Sequence, residues 1–138
     1  MTEFEREFFK KQKFAEEEIK RFLENALHDL EIARKDPFSE VRFTYSFQAL
    51  IKAGIALIAK IGEVKVRSIP GHHAKILEKM SEILKDTDIS KIGHAMRTTR
   101  NTDLYGGGKP VSEKEAGDYL RFVECVLKSI QERLADTE

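Results

Sequence analysis

The sequence is poor in residues that staple, bend or anchor a chain. Its one cysteine, Cys125, excludes an internal disulfide and points to a reducing compartment. The neighbours Phe122, Val123, Val126 and Leu127 predict that this thiol is buried as a small hydrophobe. Only three prolines occur, Pro37, Pro70 and Pro110, each between apolar-periodic segments. That spacing implies helices with short connections and leaves little room for strands. There is no excess of either charge: 24 Lys and Arg balance 24 Asp and Glu, so no global field favours nucleic acid or membrane. A local basic patch stays open. No apolar run approaches the roughly 20 residues of a membrane span, and the first residues carry no apolar signal region. A cytoplasmic protein without a membrane partner is expected.

What is present is helical periodicity. The chain's 138 residues are enough for one domain with a core, and a 41% apolar, 35% charged composition fits a soluble helical fold. From Ala15 the apolar positions Ile19, Phe22, Ala26, Leu30 and Ala33 step by three and four, predicting an amphipathic helix to about Lys35. Begun at Thr2, that helix would run about 50 Å, too long for a compact bundle. Residues 1–14 are therefore set apart as a helical extension or arm. Its Phe4, Phe8 and Phe9 are too apolar for solvent and are expected to meet a second subunit. Residues 15–138 form the bundle.

Asp36-Pro37 reads as an N-cap and first helical position. The helix from there to about Ile61 is apolar almost all round, and a helix without a wide polar face is surrounded. It should be the centre of the fold, with Gly62 as its stop. His72 to about Lys85 is a third helix, facing inward through Ile76, Leu77, Met80, Ile83 and Leu84. A short fourth helix carries Ile89, Ile92, Ala95 and Met96 and ends near Arg100. Ser112-Glu113-Lys114-Glu115 has capping-box spacing and opens the last helix, to about Leu134. The fold class is all-α: an up-and-down bundle of four to five helices.

One stretch breaks this regularity. Arg97 and Arg100 are three apart and share a helix face; Asn101, Asp103 and Tyr105 follow, then three glycines. Two planar guanidiniums suit a phosphate, and Asn101 adds a neutral donor. The plainer reading is that cations favour a helix C-terminus and that Asp103 pairs with one of them. Proton transfer would need His72, His73 or His94 to reach over from elsewhere. Gly106-Gly107-Gly108-Lys109 lacks phosphate-loop spacing, since Pro110 follows the lysine and no strand precedes. His72 and His73 point about 100° apart on a helix, so a shared metal is not expected, and neither is a cofactor. Glu16 to Glu18 and Lys10-Lys11 read as solvated surface.

The aromatic entry into an alanine-rich central helix (Phe43, Tyr45, Phe47, Ala49, Ala53), a helix opened by His72-His73, and Arg100-Asn101-Thr102-Asp103-Leu104-Tyr105 after a short fourth helix together resemble HEPN domains, the higher-eukaryote and prokaryote nucleotide-binding family. The resemblance covers roughly residues 15–134. It implies a helical homodimer in which the arginine segments of both subunits meet in a cleft. It also implies a minimal nucleotidyltransferase partner, in toxin–antitoxin or related two-component systems. Active members are metal-independent ribonucleases whose signature pairs an Arg and a polar residue with a later His. Arg100 and Asn101 match the first two places; the His place falls on Tyr105, and no histidine follows His94. With a reference pKa of about 10, tyrosine is a poor base near neutrality.

The expectation is therefore a HEPN-like binding module for nucleotide or RNA phosphate, acting with a nucleotidyltransferase and with weak or no catalysis of its own. Its site is Arg97, Arg100, Asn101, Asp103 and Tyr105, with Tyr105 also a candidate for modification by the partner. One alternative is a metal-independent endoribonuclease using Arg100 with His73 or His94. Another is a helical protein–protein interaction domain without ligand.

Overall fold

The computed structural model describes residues 2–106 and 111–136, with the side chains of 102–106 excepted. Among these, the chain forms five helices and two short strands: β1 (Phe9–Lys11), α1 (Glu16–Lys35), α2 (Ser39–Gly62), β2 (Val64–Val66), α3 (His72–Leu84), α4 (Thr87–Gly106) and α5 (Glu113–Asp136). It is an all-α helical bundle with a small two-stranded sheet. No helix of the described residues is long and apolar enough to cross a membrane.

α2 is the centre, as its all-round apolarity predicts. It contacts α1, α3, α4, α5 and β2, and Phe47, Leu50, Leu57 and Ile58 are completely enclosed. Helix α3 comes so close that a Cβ at Gly54 would lie 2.5 Å from Met80 Sδ. On the other side, α1 is pinned by charge as well as by its apolar stripe. The buried Asp29 carboxylate meets Lys52 Nζ at 2.7 Å.

The helix ends follow local chemistry. At α1, the Glu18 carboxylate accepts the Ala15 N–H at 3.1 Å. Three glutamates in the first turn and Arg34 and Lys35 in the last complement the helix dipole. Asp36 does not cap α2 as expected. Its carboxylate accepts the Phe38 N–H at 2.9 Å in a turn, and the helix starts two residues after Pro37. The capping box at α5 is present: Glu115 N–H donates to Ser112 Oγ at 3.1 Å, and Ser112 N–H donates back to Glu115 Oε1 at 3.3 Å.

Three sequence expectations are corrected. Residues 2–14 are not a helix, and they pack on their own bundle. β1 pairs antiparallel with β2, Phe9 opposite Val66 and Lys11 opposite Val64. Phe9 is buried, worth about 1.5–3 kcal/mol of apolar transfer. Phe4 covers Gly62 so closely that a Cβ there would lie 2.6 Å from the ring. Gly62 therefore makes room for Phe4, while Glu63 takes the left-handed cap conformation, with φ of 50°. Second, α4 does not stop near Arg100 but continues to Gly106. No glycine or proline lies between Arg100 and that glycine to stop it earlier. Third, Cys125 is exposed. The α5 stripe of Leu120, Val123, Leu127, Ile130 and Leu134 faces the core, and Cys125 lies beside it on the outward flank.

Candidate functional site

The approach to α3 builds one wall of a pocket. β2 ends at Val66, and the chain turns through residues 67–71. Ile69 N–H donates to Arg67 O at 3.0 Å, and Gly71 adopts φ of 86°, open to glycine at little cost. His72 then closes the turn twice. Its backbone N–H donates to Ile69 O at 3.1 Å and its ring Nδ1 lies 2.6 Å from the same oxygen. A carbonyl only accepts, so Nδ1 carries the proton and Nε2 is left as the acceptor of the neutral ring. His73 follows, its ring 4.2 Å from that of His72 and edge-on to Phe47 at 5.7 Å between centroids. The two imidazoles touch one another.

The opposite wall is α4. His94, Arg97 and Asn101 are spaced by three and four, so they fall on one face. Arg97 Nη2 approaches His94 Nδ1 at 3.3 Å; guanidinium only donates, so His94 accepts. Arg97 Nε is buried and has no hydrogen-bond partner among the described residues. Arg100, one turn on, lays its guanidinium over the Phe47 ring at 5.8 Å. Because α4 runs on to Gly106, neither arginine sits in its last turn, and the dipole explanation for them weakens.

Between the walls lies an open pocket of about 620 Å³, lined by residues 68–71 with His72, His73, Arg97 and Asn101. Among the described residues, no carboxylate lines it. Of the five residues expected from sequence, Arg97 and Asn101 line this pocket. Arg100 stands behind, against Phe47, and reaches His73 by charge alone. The side chains of Asp103 and Tyr105 lie outside the described residues, as does the Gly107 to Lys109 loop. His94 is exposed and touches the site through Arg97. Among the described residues, no group of three His, Cys, Asp or Glu could hold a metal ion.

The electrostatics are one-sided. His73 is held down to a pKa of about 4, first by burial and then by electrostatic repulsion from His72, Arg100 and Arg97. It is therefore neutral at pH 7 and can accept a proton or a hydrogen bond. The first turn of α3 adds backbone N–H groups without intrahelical partners and the positive end of its dipole. Guanidinium, amide, helix N-terminus and neutral imidazole together suit an oxyanion. Sequence reasoning missed the 68–71 wall, which read as a plain connection. Pro70-Gly71 marked the turn but not what it would face.

No family model, no curated protein and no solved structure matches the chain.

Proposed function

We propose that this bundle is a binding module for the phosphate groups of a nucleotide or RNA, working as a homodimer beside a minimal nucleotidyltransferase, as its HEPN resemblance implies. One observation supports the phosphate reading above the others. Arg97 reaches a pocket that no carboxylate lines among the described residues, with its Nε buried and without a hydrogen-bond partner among them, beside Asn101 and the start of α3. A guanidinium N–H deprived of both water and an acceptor is costly unless something else completes its shell. A phosphate does so with matching geometry. Asp103 and Tyr105 follow on the same helix, and Tyr105 remains the proposed acceptor for a group transferred by the partner. The test is fluorescence anisotropy with a labelled ten-nucleotide single-stranded RNA, read with and without competing AMP. Arg97→Ala should weaken binding at least about tenfold. A wild-type protein that binds neither RNA nor AMP refutes the reading and leaves a helical interaction domain.

A second reading, metal-independent ribonuclease, is favoured by a separate observation: His73 is neutral and lies within the field of both arginines. In that chemistry His73 takes the 2′-hydroxyl proton and the 2′-oxygen bonds to phosphorus. The bond to the 5′-oxygen breaks, and a second imidazole, His94, returns a proton to it. Arg97 and Arg100 offset the added charge. RNA incubated with chelator distinguishes the readings. Cleavage lost in both His73→Gln and Arg100→Ala establishes the enzyme, and intact RNA leaves the binding module.

A further inference from the structure

A buried lysine, Lys79, lies on α3 away from the lining of this pocket. The Lys79 side chain is only 3% exposed, yet its ammonium is ionic, 2.8 Å from Glu5 Oε1, 3.3 Å from Glu78 Oε2 and 3.7 Å from Glu82 Oε2. Glu78 and Glu82 are on the same helix and would meet it in any fold that keeps α3. Glu5 comes from 74 residues away, so its place is a tertiary decision.

From Glu5 the chain leads directly to the pocket loop. Glu5 O accepts the N–H groups of Phe8 and Phe9, at 3.1 and 2.9 Å, and so folds the segment into a turn. Phe9 is then buried, which orients its neighbours. Phe8 O accepts Arg67 N–H at 2.7 Å, and Arg6 O accepts Arg67 Nε at 3.0 Å. The Phe8 ring lies against Gly71, where a Cβ would be 3.7 Å from it, and Lys75 Nζ sits over the same ring at 5.4 Å. The segment therefore grips the pocket loop at both ends, at Arg67 by two hydrogen bonds and at Gly71 by an aromatic face. The residues between those grips line the pocket and bring Ile69 O to the His72 ring.

We infer that residues 5–9 are a strap that sets the 67–72 wall of the pocket, with Glu5 and Phe8 as positioning residues for whatever anion it takes. The effect on ligand rests on the phosphate reading above; the effect on the wall does not. The strap holds because one carboxylate is captured by a lysine with little access to water, and it acts at a distance because the strand transmits the capture to Arg67 and Gly71.

The experiment is backbone hydrogen–deuterium exchange of the whole chain, read beside RNA anisotropy with the same ten-nucleotide probe. Glu5→Gln should raise exchange across 67–72 about tenfold while α2 and α5 keep wild-type protection, and should weaken RNA binding about fivefold. Phe8→Leu should move both readouts the same way. Arg97→Ala should weaken RNA binding and leave exchange unchanged, which a merely destabilised fold would not do. Should either strap variant lose protection everywhere, Arg67→Met removes the bond to Arg6 and carries the same expectation. Unchanged exchange in the folded variants overturns the strap. Raised exchange with wild-type RNA affinity overturns its link to the ligand. If the wild type binds no RNA, the phosphate reading falls, and the exchange data alone decide the strap.

Discussion

Two cationic regions border α3, and they are settled in opposite ways. Around Lys75 and Lys79, carboxylates answer each ammonium: Glu5, Glu78 and Glu82 all lie within 4 Å of one or both. At the start of the helix, Arg97, Arg100 and His73 have no carboxylate partner among the described residues. The first region also borders the larger cavity, about 980 Å³ against 620 Å³, yet that cavity is lined by Glu3, Glu5, Glu78 and Glu82 as well as by lysines. Size therefore misleads. A cation already matched by the chain's own acids serves the fold, whereas one left unmatched in a concave site is free to serve a ligand.

The sharpest test of that contrast is Arg97→Ala against Lys79→Met. The first should lose RNA affinity at least about tenfold and shift unfolding in urea by less than about 0.5 kcal/mol. The second removes the charge that captures Glu5, so it should act through the strap: RNA binding falls about fivefold, as in Glu5→Gln, and exchange rises across 67–72. Raised exchange across 67–72 in Arg97→Ala as well would erase the distinction. Next in size is salt. If two phosphates are neutralised, RNA binding should fall about sevenfold between 50 and 200 mM salt. Urea midpoints should move less, because the Lys79 end of its pair with Glu5 is buried and only partly screened.

Smaller again is the stability cost of Glu5→Gln, about 1 kcal/mol by urea titration. Glu5 is itself 42% exposed, and Glu78 and Glu82 remain beside Lys79. The last test is pH, where the two regions separate by window. His73 binds its proton more weakly folded than unfolded, with a pKa of about 4 against 6.5. Its contribution to stability is thus complete above 6.5 and drains away as pH falls toward 4. Glu5 is held below its ordinary 4.5, chiefly by its hydrogen bond to Lys79, so its contribution is lost only as pH falls below that value. His73→Phe should flatten the upper limb of a stability–pH curve and Glu5→Gln the lower one. An anion in the pocket favours protonated His73, so RNA affinity should rise as pH is lowered from 7 to 5.

Much of the frame is readable in the linear chain because it depends on period and on local caps. The all-round apolar run around Phe47 and Leu57 had to be the central helix. Ser112 and Glu115 had to open the last one, because their hydrogen bonds reach only three residues. What escaped were features shorter than a period or dependent on a distant partner. A three-residue strand such as Phe9–Lys11 has no alternation to detect, and its aromatic and basic residues look like a helical arm. Lys79 sits three residues after Ile76, on the inward stripe of α3, but a lysine there reads as surface until Glu5 is seen beside it. Arg100 looked like the leading ligand by motif, yet it faces an aromatic ring, and Arg97 took the pocket.

The sequence by itself determined the helices, the identity of the central one and the stretch where unmatched donors gather. Those follow from side-chain hydrophobicity and from hydrogen bonds within a few residues. Only the tertiary structure decided that two adjacent histidines would face Arg97 and Asn101, that residues 68–71 would wall the pocket, and that the N-terminal strand would brace that wall. The reason is physical. A charge keeps or loses its hydration according to what packs against it, and those neighbours come from parts of the chain no local pattern connects.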